Sequence, residues 1–416
     1  MSQWHDVTLS DISRVVTGTT PSAKNKSWFG NEYEFITPTD IDASTRRATP
    51  TRWLSSEGAA RLASRMLPPG ATCFVCIGAT IGKLCMTRAP SFTNQQINAV
   101  VAAGDNDPRF LYYLLRNDAE RIAATASGAA TPIINKSSFA GTKVRIPGAE
   151  TQIRVGAVLG AIDDLIENNR LRIALLEQIG QANYREWFVH FRYPGHKDVE
   201  LVDSPLGPIP HGWQTTTVGQ SFTVVLGGTP SRQNPDFWNG EIPWLNSGKT
   251  NELRVIEPSE YITDLGLASS NTKLMPPKTT LIAITGATLG QVSILEAEMC
   301  ANQSVVGIYD TIDSNGEWTY RTFVDRIDGI VQSASGGAQQ HINKGIINEV
   351  VITRPTDRIL ADFSRLATPL GNEIATLLRS NRCLEAIRDL LLPKLVTGAL
   401  DVSKLDLDGL LEEPAA

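Results

Sequence analysis

Hydrophobic positions along this chain change period twice. Through residues 1–149 and again through 205–356 they fall in short apolar or β-branched runs, such as Thr72–Ile77 and Thr280–Thr285, each closed by a glycine-containing turn. That pattern predicts short strands joined by tight turns. A helical period interrupts it at Pro108–Ala124, where Phe110, Leu111, Leu114 and Leu115 share a face, and at Trp318–Val331. Each stretch therefore reads as a mixed α+β domain.

Behind each domain the period becomes helical without interruption. In Glu150–Val189 the residues Val155, Val158, Ile162, Leu165, Asn169, Arg172, Leu176, Ile179 and Asn183 alternate in steps of three and four. Phe363, Leu366, Leu370, Ile374, Leu377, Asn381, Leu384, Arg388 and Leu391 repeat the seam near the end of the chain. Such a seam is the heptad of a coiled coil, and Asn169 and Asn381 are polar residues at buried positions, the kind that fixes register. Two helices packed on one another, antiparallel, are expected in preference to two amphipathic helices each packed on its own domain. Leu159, Ile173, Leu390 and Leu392 fall outside the seam and are expected to form outer apolar faces that need cover. About forty helical residues span about 60 Å, and one turn of B-DNA advances about 34 Å. Domains that lap over such a rod would, if they bind DNA, sit about one turn apart and leave an unread spacer between two halves of a target.

The two domains are copies of one unit. Trp4 matches Trp213, and Thr20-Pro21-Ser22 matches Thr229-Pro230-Ser231, at an offset of 209. The offset then becomes 208. Pro68-Pro69 matches Pro276-Pro277, Gly78-Ala79-Thr80-Ile81-Gly82 matches Gly286-Ala287-Thr288-Leu289-Gly290, and Asn94-Gln95 matches Asn302-Gln303. Ala126-Ser127-Gly128 pairs with Ala334-Ser335-Gly336, Ile134-Asn135-Lys136 with Ile342-Asn343-Lys344, and Leu176-Glu177 with Leu384-Glu385.

Charge separates the copies. The whole chain carries a net −6, but residues 1–149 hold 16 Lys and Arg against 11 Asp and Glu, and residues 205–356 hold 9 against 14. If both bind DNA, the second must use a local basic rim, with partners supplying much of the phosphate neutralisation. The five cysteines include Cys73, Cys76 and Cys85 in an apolar strand-like stretch where a zinc site would need a fourth ligand, so reduced core thiols are expected. His5, His190, His196, His211 and His341 show no metal-ligand spacing. No stretch approaches the roughly 20 apolar residues that cross a bilayer, and Met1–Asp6 has no basic region followed by an apolar run. A cytoplasmic protein with no membrane contact is expected.

The order of these motifs carries a resemblance. A Trp and a Gly-Thr-Pro-Ser turn come first, then the Gly-Ala-Thr-Ile/Leu-Gly turn, the Asn-Gln segment and Ile-Asn-Lys before a strand ending in Ile-Pro or Arg-Pro. A long helix follows with Ala161-Ile162-Asp163-Asp164 and Asn168-Asn169, and Pro393-Lys394-Leu395-Val396-Thr397-Gly398 comes near the end. Repeated twice, this order is similar to the specificity subunits of type I restriction-modification systems over essentially the whole chain. The resemblance implies an α+β fold of two target-recognition domains, 1–149 and 205–356, related by an internal pseudo-twofold repeat. A pair of long antiparallel coiled-coil helices, in spacers 150–204 and 357–416, would separate them. It further implies that each domain reads one half of a bipartite double-stranded DNA site, in phage defence. The helices would dock two methyltransferase subunits, with nuclease/translocase subunits as further partners. No cofactor is expected in this chain: S-adenosylmethionine, ATP, adenine methylation and cleavage would belong to those partners.

Nothing in the motifs points to catalysis. Gly78–Lys83 has three residues between its glycines, and Leu84 follows Lys83, so it fails as a phosphate loop and reads as a turn. Asn234-Pro235-Asp236-Phe237 lacks the second proline of an amino-methyltransferase tetrapeptide, and no Phe-x-Gly-x-Gly loop occurs. Gln and Asn can pair with adenine, Arg with guanine and Lys with phosphate. Candidate DNA contacts in turns are therefore Lys24, Lys26, Arg46, Arg47, Lys83, Asn94, Gln95, Thr131 and Lys136 in the first domain. In the second they are Arg232, Gln233, Lys249, Gln291, Asn302, Gln303, Gln339, Gln340 and Lys344. Asn94, Asn135, Asn302 and Asn343 recur in both copies and are as well suited to structural turn hydrogen bonds, since two heads should read different bases. Gln291 stands where the first copy has Lys83, and Gln339-Gln340 stand opposite Thr131-Pro132. Trp28, Phe29, Trp238 and Trp244 could stack on bases but suit the domain cores better. The rival readings are a stand-alone enzyme, for which no segment is left over, and a scaffold that binds only protein.

Overall fold

The structure is a computed structural model and describes residues 4–128, 131–310, 315–334, 342–403, 405 and 407. Two compact units divide it: residues 1–169 with 381–416, and residues 170–380.

In unit 1 the chain runs through β1 (His5–Thr8), β2 (Ser13–Thr17), β3 (Phe29–Ile36), β4 (Arg52–Leu54), β5 (Thr72–Val75), β6 (Leu84–Met86), β7 (Ser91–Thr93), β8 (Ile97–Ala102) and β9 (Lys143–Ile146). They form a four-stranded sheet in the order β2-β8-β5-β6, a three-stranded sheet β4-β3-β7, and the pair β1-β9. The central strand Thr72–Val75 is buried at every position, which is why its sequence is a continuous run rather than an alternation. A helix at Pro108–Asn117 opens with Asp107 accepting from the Phe110 amide at 2.7 Å and with Pro108 in its first turn. It stops at Asp118, and a second short helix covers Ala119–Ala123, so the single predicted helix is two.

Unit 2 repeats this plan after β10 (Leu201–Val202) and β11 (Ile209–Pro210). Its strands are β12 (Gln214–Thr217), β13 (Thr223–Leu226), β14 (Trp238–Leu245), β15 (Arg254–Val255), β16 (Glu260–Ile262), β17 (Thr280–Ala283), β18 (Val292–Leu295), β19 (Cys300–Ala301), β20 (Val305–Tyr309) and β21 (Val351–Arg354). The sheets are β13-β20-β17-β18-β15, β16-β14-β19 and β12-β21. Pairing registers repeat as well as strand order. His5 faces Ile146 and Thr8 faces Lys143 in β1-β9, and Gln214 faces Arg354 and Thr217 faces Val351 in β12-β21. The helix at Gly316–Ala334 fills the place of Pro108–Ala123.

Two long helices, Ala149–Tyr184 and Asp357–Val396, each contribute one part to unit 1 and one to unit 2. Within each unit the two segments pair antiparallel. In unit 1 Asn169 Nδ2 donates to Asn381 Oδ1 at 2.9 Å, and Asn381 Nδ2 donates to the Ile166 carbonyl at 3.2 Å. Further along, Arg388 Nη1 meets Asp163 Oδ1 at 2.9 Å, and Val155 and Leu159 share a core with Leu392, Leu395 and Val396. In unit 2 Ile173 packs with Ile374 and Leu377, and Tyr184 and Phe188 with Leu360, Phe363 and Ala367.

The seam of the first helix differs in phase from the expected one at every second position. Val155 and Asn169 are buried as expected, but Leu159, Ile166, Ile173 and Gly180 face inward, where Val158, Leu165, Arg172 and Ile179 were expected. Leu165 is 55% exposed and Ile179 48% exposed. In the second helix Ala367 takes the inward place expected for Leu366. The expected outer apolar face is corrected accordingly: Leu159, Ile173 and Leu392 are buried, and of that group only Leu390 is exposed. The true heptad includes positions such as Asp163 and Gly180, whose polar or absent side chains hide it from a search for apolar residues.

Candidate nucleic-acid interface

The polar turn residues that recur in both copies are used by the fold itself. Asn94 Oδ1 accepts from the Gln96 amide, and Asn302 Oδ1 from the Ser304 amide, each at 3.1 Å. Asn135 caps the helix Lys136–Ala140 by accepting from the Ser138 amide at 2.8 Å, and Asn343 caps Lys344–Glu349 through the Ile346 amide at 3.0 Å. Lys136 and Lys344 follow these caps and are exposed. Thr20 donates to Gln95 Oε1 and Thr229 to Gln303 Oε1, so each Thr-Pro-Ser turn is tied to its Asn-Gln turn. Both glutamines are exposed, and with the oxygen engaged it is the amide NH2 that each can offer to a base.

The Gly-Ala-Thr-Ile/Leu-Gly segment is a strand-to-strand turn. Gly78 and Gly82 take φ of 95° and 96°, and Gly286 and Gly290 take 72° and 82°, a conformation in which a side chain is strained. The Gly82 amide closes on the Val75 carbonyl at 3.1 Å and the Gly290 amide on the Ala283 carbonyl at 2.9 Å. Lys83, after the first turn, donates from Nζ to the Ile41 carbonyl at 3.3 Å, whereas its counterpart Gln291 is exposed.

The remaining candidates differ in what already engages them. Lys24 and Lys26 are exposed on the loop after β2, Thr131 is exposed, and Gln233 is exposed beside Ser231. Arg47 is half-buried, its carbonyl accepting from Thr45 Oγ1 at 2.8 Å. Arg46 points inward: its side chain is nearly buried and pairs with Asp164 of the first long helix. Arg232 lies 3.5 Å above the Trp238 ring and pairs with Glu260 at 2.6 Å, and Lys249 pairs with Glu252 at 2.7 Å. Gln339 and Gln340 lie outside the described residues. Trp244 is core, its Nε1 donating to the Gly228 carbonyl at 3.0 Å, while Trp28, Phe29 and Trp238 are half-buried.

Electrostatics follow the same split. Of the nine basic residues in 205–356, Arg232, Lys249, Arg254, Lys278, Arg321 and Arg354 form ion pairs with carboxylates of unit 2. The buried set Arg254, Glu296, Glu317 and Arg321 was not legible from sequence, because its members are far apart in the chain and lie in no motif. Four cysteines are free and buried, Cys383 is exposed, and burial pushes the Cys76 and Cys300 thiols up to about 11. Among the described residues no helix is long and apolar enough to cross a membrane.

Two copies of one α+β domain with matching registers, differing in the side chains their turns expose, define a class of protein with two reading heads. Residues 1–178 and 210–363 match the type I restriction modification DNA specificity domain, and the chain belongs to that family. It is 27% identical over 415 residues to the type I restriction enzyme MjaIX specificity subunit of Methanocaldococcus jannaschii, covering 97% of this chain and 94% of that one. The HindI specificity subunit of Haemophilus influenzae is 23% identical over 357 residues, 70% of this chain and 77% of its own. The crystal structure of the type I restriction-modification S subunit from M. genitalium shares the fold, with a TM-score of 0.65 at 13% identity over 95% of this chain and 96% of that one. The chain is a specificity subunit that confers DNA sequence specificity in a type I restriction-modification complex.

Proposed function

We propose that this subunit is a reader without chemistry of its own, in which recognition domains 1–149 and 205–356 each read one half of a bipartite DNA site. Methyltransferase subunits carrying S-adenosylmethionine would dock on the long helices, and nuclease/translocase subunits using ATP would act on the assembled complex. Adenine methylation and cleavage at the site would be theirs. The observation that carries the reading is the duplication itself: the sheet registers repeat, while the turn residues differ, as Lys83, half-buried on the Ile41 carbonyl, differs from exposed Gln291. A shared frame with divergent turn chemistry is what two heads reading different half-sites require. Exposed Leu171, Leu175, Ile387 and Leu390 on the long helices supply apolar surface for docked partners.

Co-expression with a methyltransferase subunit of the same system, followed by genome-wide mapping of methylated bases, tests the reading. A single bipartite motif is expected, with one half altered when residues 1–149 are exchanged for those of a relative. Methylation at a continuous motif, or unchanged without this chain, would overturn it.

A further inference from the structure

The junction between recognition domain and helices is built differently in the two units. Each domain brings an arginine at the same place of the repeat, Arg46 pairing with helical Asp164 and Arg254 with Glu317 of its own domain, but only in unit 1 does a buried ion pair, Asp163 with Arg388, come from the helices themselves. Tyr113, from the recognition domain, donates its hydroxyl to Asp163 Oδ2 at 2.6 Å, and Arg388 Nη1 bonds Asp163 Oδ1 at 2.9 Å. Asp163 and Arg388 are both buried. The 208-residue offset turns these three positions into Arg321, Gly371 and Gly180 in unit 2. There the arginine comes from the domain. Fully buried, Arg321 bonds Glu177 Oε1 and Oε2 at 3.2 and 3.3 Å and stands 3.6 Å from Glu317. The helices give way to it: a Cβ on Gly180 would collide with the Arg321 guanidinium, and one on Gly371 with the Glu317 carboxylate. Both seats keep a glutamate at the equivalent place, Glu177 and Glu385, so the difference rests on these three positions and on Glu317, where unit 1 has Arg109.

We propose that these junctions are two non-equivalent locks that assign each recognition domain to its own seat. The seat of 149–169 with 381–396 accepts a domain bringing a hydroxyl donor at position 113, and the seat of 170–184 with 357–380 accepts one bringing an arginine at position 321. A domain moved to the other seat meets the wrong chemistry. The arginine of the second domain would be buried against Arg388, and the tyrosine of the first would leave Glu177 unpaired beside an empty volume. The same rule sorts recognition domains acquired from relatives. Tyr113 and Arg321 are in this sense positioning residues, acting through the helices on where a reading head is held.

A double-mutant cycle on the full chain, read by thermal melting, tests the proposal without depending on what the domains read. Tyr113→Arg is expected to lower the melting temperature by about 10 °C, by burying a second guanidinium against Arg388. Arg388→Gly is expected to lower it too. The double variant lets the guanidinium arrive from the domain over a glycine, as Arg321 does over Gly180, with Asp163 left as its partner, and is expected to lose less than the sum of the two single losses. The helix cost of the new glycine is present on both sides of the cycle and cancels. If Tyr113→Arg does not fold, recovery of a folded chain in the double variant supports the proposal. Tyr113→Phe, which removes only the donor, is expected to melt about 3 °C lower. Wild-type melting of Tyr113→Arg or Tyr113→Phe overturns the proposal, as does a double variant that loses at least the sum of the single losses or stays unfolded.

Discussion

At the scale of single residues, an arginine or asparagine in a turn is a DNA contact or a structural bond depending on what lies across from it in space. Arg46 and Lys24 belong to the same domain, yet one pairs with Asp164 and is nearly buried while the other is exposed. Arg46→Ala leaves Asp164 without its partner and is expected to destabilise unit 1 by about 2 kcal/mol in urea unfolding. The same change should leave the salt dependence of DNA binding where it is. Asn135→Ala removes a helix cap and is expected to cost about 1 kcal/mol, again without altering the recognised sequence. Thiols give a direct check of burial. One of the five cysteines, Cys383, is expected to react with a thiol reagent in the native chain and all five after denaturation. The role of the recurrent asparagines was legible in sequence, because a residue common to two heads that read different bases belongs to the frame. The burial of Arg46 was not, because its partner lies 118 residues further along the chain.

Between elements, the polar seam of the long helices sets how they pair. Asn169 and Asn381 bond each other in unit 1, and the 208-residue offset places Leu377 and Ile173 at the same point of unit 2, where they share an apolar core. One seam position is therefore polar in one unit and apolar in the other. Asn381→Ile alone strands the Asn169 amide and is expected to cost about 1–3 kcal/mol. Asn169→Leu with Asn381→Ile reproduces the unit 2 pair and is expected to recover that loss or exceed the wild type, as buried polar pairs commonly do when replaced together. Denaturant melts of the two singles and the double decide it, and a double variant less stable than either single would contradict the equivalence of the two positions. The heptad period was visible in sequence, but its phase was not. Val158 and Leu165 match the apolar pattern as well as Leu159 and Ile166 do, and burial of Asp163 and Arg388 is fixed only by their meeting in the folded unit.

For the molecule as a whole, the unequal charge of the two copies becomes an unequal way of holding DNA. Residues 1–149 carry an excess of five positive charges, with Lys24, Lys26 and Lys136 exposed. Residues 205–356 carry an excess of five negative charges, and six of their nine basic side chains are engaged by carboxylates of unit 2. Phosphate neutralisation, and the counterion release that accompanies it, should therefore fall mainly on the first domain, while the second depends more on neutral donors such as Gln291, which stands where the first domain has Lys83. Replacing Lys24 and Lys26 by Gln is expected to weaken binding of the assembled complex to every sequence alike. It should also reduce the slope of log K against log salt by about 1 for each phosphate that is no longer neutralised. Gln291→Ala is expected instead to leave the slope unchanged and to relax discrimination at one half-site, by about 1–3 kcal/mol for a base that was read directly. Titrations of matched and half-site-mutated duplexes at several salt concentrations separate the two effects. Equal slope changes from both sets of variants would mean that the acidic domain holds phosphates as strongly as the basic one, and that its ion pairs open when DNA binds.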